Sequence, residues 1–180
     1  IEDNRVVQER TSPCLADTDA DGLNDGVEDG SVHGSSPTDP DSDDDGLLDG
    51  LEDRNGDGVW SPDTETSPVR RDTDSDGLLD GREDRNGNGV QDADEPSALI
   101  FDTDGDGLSD GQEVNSAGTD PTLSDTDDDG LPDGLEFGVA GDLDPGSVTN
   151  PFNPDTDQDG ILDGLEDRNA NGQVDNDETD

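Results

Sequence analysis

The apolar residues of this chain are few and scattered among polar ones, mostly singly or in pairs. Those that recur do so at fixed places: Leu23, Leu47, Leu78, Leu108, Leu131 and Ile161. Each is the seventh residue of one twelve-residue string, D-x-D-x-D-G-x-x-D-G-x-E, present six times without mismatch at 17–28, 41–52, 72–83, 102–113, 125–136 and 155–166. The starts are 24, 31, 30, 23 and 30 residues apart. Such a period marks a repeat array whose units contact only their neighbours. The elements it predicts are loops, with at most a single helical turn over positions 8–13, as in Leu48–Asp53. The position-7 residues, with Leu51, Leu135, Leu165, Val59 and Trp60, are expected to make small apolar contacts between adjacent loops. The fold class is mostly irregular, an elongated rod of loops with little regular secondary structure.

Residues 1–16 read as a lead-in carrying the tail of a preceding repeat (Ile1-Glu2-Asp3), and 17–180 as the six-copy array. Four residues before each copy stand Pro13, Pro37, Pro68, Ala98, Pro121 and Pro151. A short polar residue precedes each one, a pairing that starts a turn and keeps the residue before Pro out of the helical region. It predicts a stiff, extended approach to each loop. Secondary Asx-rich loops follow three copies, at 53–65, 84–95 and 167–178.

Composition sharpens the picture. Apolar residues are 23% of the chain and aromatics 2%, against roughly 45–50% apolar in ordinary soluble domains. The formal charge is -45, from 53 acidic residues against 8 basic ones. Taken alone, that describes an expanded acidic polymer. Nucleic acid and anionic membrane surfaces are disfavoured as partners, since both need basic clusters, and no stretch approaches the roughly 20 apolar residues of a spanning helix. Cations are favoured. Cys14 is the single cysteine, so no internal disulfide can form; it reads as a small buried residue, or as one paired upstream or with another chain.

The spacing inside the string points to one cation. Calcium takes six to eight oxygens at about 2.3–2.6 Å, which a twelve-residue loop supplies from positions 1, 3, 5, 7, 9 and 12. Candidate ligands are therefore Asp17, Asp19, Asp21, Leu23, Asp25 and Glu28 in the first copy, and Asp41, Asp43, Asp45, Leu47, Asp49 and Glu52 in the second. The third offers Asp72, Asp74, Asp76, Leu78, Asp80 and Glu83; the fourth Asp102, Asp104, Asp106, Leu108, Asp110 and Glu113. Asp125, Asp127, Asp129, Leu131, Asp133 and Glu136 follow, then Asp155, Asp157, Asp159, Ile161, Asp163 and Glu166. Position 7 acts through its carbonyl, aimed by the Gly at position 6; position 12 binds with both oxygens. Magnesium demands tighter octahedral geometry and keeps its waters, and zinc calls for His and Cys, of which there is one each.

The secondary loops offer Asp53, Asn55 and Asp57 (with Glu65 one residue late), Asp84, Asn86, Asn88, Asp92 and Glu95, and Asp167, Asn169, Asn171, Asp175 and Glu178. Asn keeps an oxygen but gives up charge, so these sites are expected to be weaker. Nine loops, each taking a divalent ion, would reduce -45 to roughly -27.

The loop with its lead-in, as in Thr119-Asp-Pro-Thr-Leu-Ser-Asp-Thr-Asp-Asp-Asp-Gly, resembles the bacterial thrombospondin type 3 repeat from about Thr11 to Asp180. The resemblance implies loops wrapped around calcium, little regular secondary structure, and a place in stalks or linkers of secreted and cell-surface proteins. The animal form is pinned by disulfides; here calcium alone must do the fixing. The EF-hand shares the loop but needs a flanking helix on each side. Only 12 residues separate Glu28 from Asp41 and 11 separate Glu113 from Asp125, too few for two helices. The dockerin module fails likewise.

The expected function is an extracellular or cell-surface calcium-binding structural protein, a rigid spacer, stalk or fibre segment. Its partners would be calcium ions, copies of itself in a fibre, or neighbouring domains of a larger surface protein. The alternative is a calcium-dependent adhesin, which exposed aromatics would favour; Trp60, Phe101, Phe137 and Phe152 are dispersed and read as local packing. An enzyme is not expected, because the sole His33 lies in a Gly/Ser stretch and the carboxylates already have ligand roles.

Overall fold

A computed structural model describes residues 11–12, 14–29, 34–138 and 148–167. The upstream tail at 1–10, Pro13, His33 and most of the third secondary loop (Asn169, Asn171, Asp175, Glu178) lie outside the described residues. Within them the chain forms no strand. The helical turns α1 (Asp25–Glu28), α2 (Asp49–Glu52), α3 (Asp80–Glu83), α4 (Asp110–Gln112), α5 (Asp133–Glu136) and α6 (Asp163–Glu166) each occupy the end of one string. The loop-built expectation holds. In the fourth copy the turn runs on as a π-helical segment, Glu113–Ala117, stopped by Gly118 at φ +83°, a left-handed conformation that glycine adopts without steric cost.

Each loop is tied at its neck. The position-9 amide donates to the carbonyl just before position 1: Asp25 to Ala16 (2.8 Å), Asp49 to Pro40 (3.1 Å), Asp80 to Arg71 (3.0 Å), with the same bond in the other three copies. Position 6 turns the chain in the left-handed region, φ 97–109° in all six copies, and is Gly for that reason. The lead-in forms β-turns, with Leu15 donating to Ser12, Arg70 to Ser67, Ile100 to Ser97 and Leu123 to Asp120. The approach to these loops is thus a bend rather than a straight run, because the second residue after Pro (or Ala98) donates its amide back to the carbonyl of the polar residue before it.

The buried apolar set is small: Leu23, Leu47, Leu78, Leu108 and Leu131. These are the position-7 residues. Ile161, Val59 and Leu165 are exposed and stand outside this buried set. Phe101, Phe137 and Phe152 are exposed as well, and so is Cys14, against the burial expected of that cysteine. Trp60 does pack locally: its indole N–H donates to the Glu65 carbonyl (2.9 Å) and Arg70 lies over its ring at 5.9 Å, a cation–π geometry.

Packing divides the chain into two compact units, Ile1–Thr73 with Leu79–Gln91, and Asp74–Leu78 with Asp92–Asp180. In the first unit, the Gly at position 10 of one copy presses on the loop of the copy before. A Cβ on Gly50 would meet the Asp21 carbonyl oxygen at 2.5 Å, and one on Gly81 would meet the Asp45 oxygen and Gly46 backbone at 2.8 Å. The second unit repeats the joint, with Gly111 against Asp76 and Gly77 and Gly164 against Asp129 and Gly130. Backbone meets backbone, which only glycine permits.

Replacing Gly81 by Ala should therefore cost about 1–3 kcal/mol of stability in urea unfolding of the calcium-loaded chain. Gly26→Ala, at the same position of the first copy, should cost close to nothing, since a Cβ there meets nothing within 4 Å. Equal effects at the two positions would contradict the joint.

Candidate metal centres

Positions 1, 3 and 5 fold inward together in the first three copies, whereas Asp157 and Asp159 of the sixth are exposed. Position 1 is held by backbone amides: the Asp41 carboxylate accepts from Asp45 (3.1 Å) and Gly46 (3.0 Å), and Asp125 accepts from Asp129 (3.2 Å) and Gly130 (2.9 Å). At position 5, one oxygen accepts the position-7 amide, as Asp21 does from Leu23, Asp45 from Leu47 and Asp129 from Leu131, each at 2.7 Å. The result is a convergence of like charges. Asp17, Asp19 and Asp21 each place a carboxylate oxygen within 4.8 Å of the others, and so do Asp41, Asp43 and Asp45. Two ligands about 2.4 Å from one ion can be no further apart than that.

Position 12 arrives from the helical turn. Glu28, Glu52, Glu113 and Glu136 are essentially inaccessible to solvent, at 0–2% exposure. Both oxygens of Glu28 and both of Glu52 are buried with no hydrogen-bond partner, as are both oxygens of Asp19, Asp43 and Asp127. A native interior rarely leaves a polar group in that state, and an ionised one demands a counter-charge. Among the described residues no basic side chain partners these oxygens, and the ion pair that Arg71 makes, with Asp44 at 3.3 Å, is on the surface. Hard, anionic, donor-free oxygens in a shared shell fit calcium, which the loop family implies, and the fit rests on these orphaned oxygens.

The electrostatics agree. Burial first, and then the neighbouring Asp carboxylates, push Glu28 up to about 8 and Glu52 to about 10. Glu113 and Glu136 are raised to about 8 from the same leading cause, with Thr119 and Thr149 hydroxyls opposing it. Those two threonines belong to the next lead-in and donate back to Glu113 (3.1 Å) and Glu136 (3.0 Å).

Position 9 is placed differently from a simple member of its own loop. Its carboxylate grips position 2: Asp25 accepts from the Thr18 amide (2.7 Å) and hydroxyl (2.8 Å), and Asp49 from the Ser42 amide (2.8 Å) and hydroxyl (2.6 Å). Asp80, Asp110 and Asp133 hold Thr73, Thr103 and Thr126 in the same way. The position-2 oxygen in turn accepts the lead-in amide, from Ser12, Ser36, Ser67, Ser97 and Asn150 at 2.8–3.0 Å. The hydroxyl at position 2 thus links the lead-in to position 9. Sequence reasoning passed over it, although every copy carries Thr or Ser there.

The secondary loop 53–65 is closed by its own hydrogen bonds. Asn55 Nδ2 donates to Glu65 (2.5 Å), whose other oxygen accepts from the Ser61 amide (3.2 Å), while Asp53 accepts from Gly56 and Gly58. In the loop 84–95, Asp84 likewise takes the Gly87 and Gly89 amides and the Asn88 side chain accepts from Val90. With its closing carboxylate supplied with donors, the 53–65 loop makes less demand on a cation than the main loops do.

Two outcomes follow. Without metal, the folded chain keeps protons on Glu28, Glu52, Glu113 and Glu136 that the unfolded chain, at the ordinary 4.5, has lost. Stability of the chelated fold is then fully present below about pH 4.5 and lost as pH rises toward about 8. Circular dichroism in EDTA should show more unfolding at pH 8 than at pH 5, and the reverse order would contradict the burial of these groups. Thr73→Ala should cost about 1.5–3 kcal/mol, the worth of a hydrogen bond to a charged group, and Thr73→Ser should restore most of it in thermal unfolding.

No curated protein and no solved structure matches the chain. Residues 102–124, the fourth main loop and the approach to the fifth, match the family model of the bacterial TSP3 repeat, the calcium-binding repeat that the sequence resembles.

Proposed function

We propose that the chain is an extracellular or cell-surface structural array, stiffened by calcium in its six main loops and serving as a spacer, stalk or filament segment. The observation that carries this reading is the set of buried carboxylate oxygens left without a donor, both oxygens of Asp19, Asp43, Asp127, Glu28 and Glu52 and one oxygen each of Asp21, Asp129, Glu113 and Glu136. A chain whose interior is acid rather than hydrocarbon folds when a cation enters, because the unfolded chain offers no preformed site. Outside cells calcium is abundant, and even modest loops stay filled. The secondary loops take calcium more weakly. Among the described residues apolar burial is small, one leucine in each of the first five copies and a few prolines such as Pro68 and Pro121, which suits a linear array better than a globule with a cleft for chemistry.

A second reading has one observation in its favour. Phe101, Phe137 and Phe152 are exposed, and such rings suit an adhesin that grips sugar or protein. Glycan-array or pull-down binding that disappears on Phe101→Ala would favour it over the spacer.

The spacer reading is tested by small-angle scattering and circular dichroism with calcium and with EDTA. An extended, stiff particle that becomes a flexible coil on chelation is the expected result. Identical profiles in both conditions would sink it.

A further inference from the structure

The joint between copies brings together more than backbone. In the first unit Asp21, Glu28 and Asp49 each place a carboxylate oxygen within 4.8 Å of the other two, and Asp45, Glu52 and Asp80 do the same. All six residues are buried. In each trio the first two residues are positions 5 and 12 of one loop, while the third is position 9 of the next. Glu28 and Glu52, 2% and 1% exposed, each place an oxygen in one of these trios, and neither oxygen of either residue has a hydrogen-bond donor. The close approach of Gly50 to Asp21 and of Gly81 to Asp45 is what delivers the neighbouring Asp.

We propose that a main loop followed by another copy is completed by that copy: the position-9 Asp of one copy is a ligand of the calcium ion held by the copy before it. This rests on the calcium reading above and extends it. Asp49 and Asp80 keep their bonds to Ser42 and Thr73, but a carboxylate has about four acceptor sites, so each can hold its own loop and face the preceding ion at once. The pairing is not confined to these two joints. The charge of Asp133 bears on Asp106, and that of Asp163 on Asp129. One residue then belongs to two loops, and filling one site pre-orders the next, so ions enter the array cooperatively.

The test uses the full chain, labelled with 15N and titrated with calcium after chelation. The Gly22 amide reports the first loop and the Gly46 amide the second. Asp49→Asn should raise the half-saturation concentration at Gly22 by at least about tenfold, and more than at Gly46. Asp80→Asn should move the larger effect to Gly46. Ser42→Ala, which leaves the carboxylate in place, should change Gly22 by less than about twofold. A larger change at Gly46 than at Gly22 in Asp49→Asn, or none at either, overturns the proposal. In crystals of the unaltered calcium-loaded chain, an ion within about 2.6 Å of an Asp49 oxygen supports it, and a longer separation from every ion overturns it. An unaltered chain whose amides ignore calcium removes the calcium reading itself, and the proposal with it.

Discussion

Repulsion between buried carboxylates governs this molecule. An ordinary domain buries hydrocarbon and leaves charge in water; here Glu28, Glu52, Glu113 and Glu136 are as buried as the position-7 leucines. At -45 overall the chain cannot place acid on acid unless something neutralises it. Protons do so at low pH, and a divalent cation does so at neutral pH while also supplying geometry. The repeat is therefore best understood as a set of coordination shells that double as a core.

Around each shell the polypeptide uses few devices. A hydroxyl at position 2 joins the lead-in amide to the position-9 carboxylate, as Thr73 joins Ser67 to Asp80. A glycine at position 10 lets one copy rest on the backbone of the copy before, as Gly111 does on Asp76 and Gly77. A glycine at position 6 reverses the chain where φ exceeds 95°. The non-glycine residues Ala20, Asp44, Ser75, Asp128 and Gln158 at position 4 adopt φ of 60–69°, a conformation disfavoured for L-residues. They are held there by the contacts that the loop makes around them.

Much of this was legible in the sequence. The string itself gave the loop, the lack of room for flanking helices excluded paired helix–loop–helix units, and the single helical turn at positions 8–13 followed from the short distance to the next loop. The roles of position 2 and of the position-10 glycine were present as invariants across six copies, yet they act between segments 6–36 residues apart, which a pattern within one loop does not expose. The same holds for position 9: inside one string it looks like a ligand of its own loop, whereas its carboxylate lies between that loop and the previous one. Exposure of Cys14 was misjudged for a different reason. That expectation assumed an apolar interior for it to enter, and the joints are filled by backbone and acid instead.

The count of bound calcium ions bears most directly on the central claim. Equilibrium dialysis of the full chain at about 1 mM free calcium, a concentration that fills extracellular sites, should give at least six ions per chain, one for each main loop. A chain that stays folded at neutral pH with no bound calcium would contradict an interior built from ion-neutralised carboxylates.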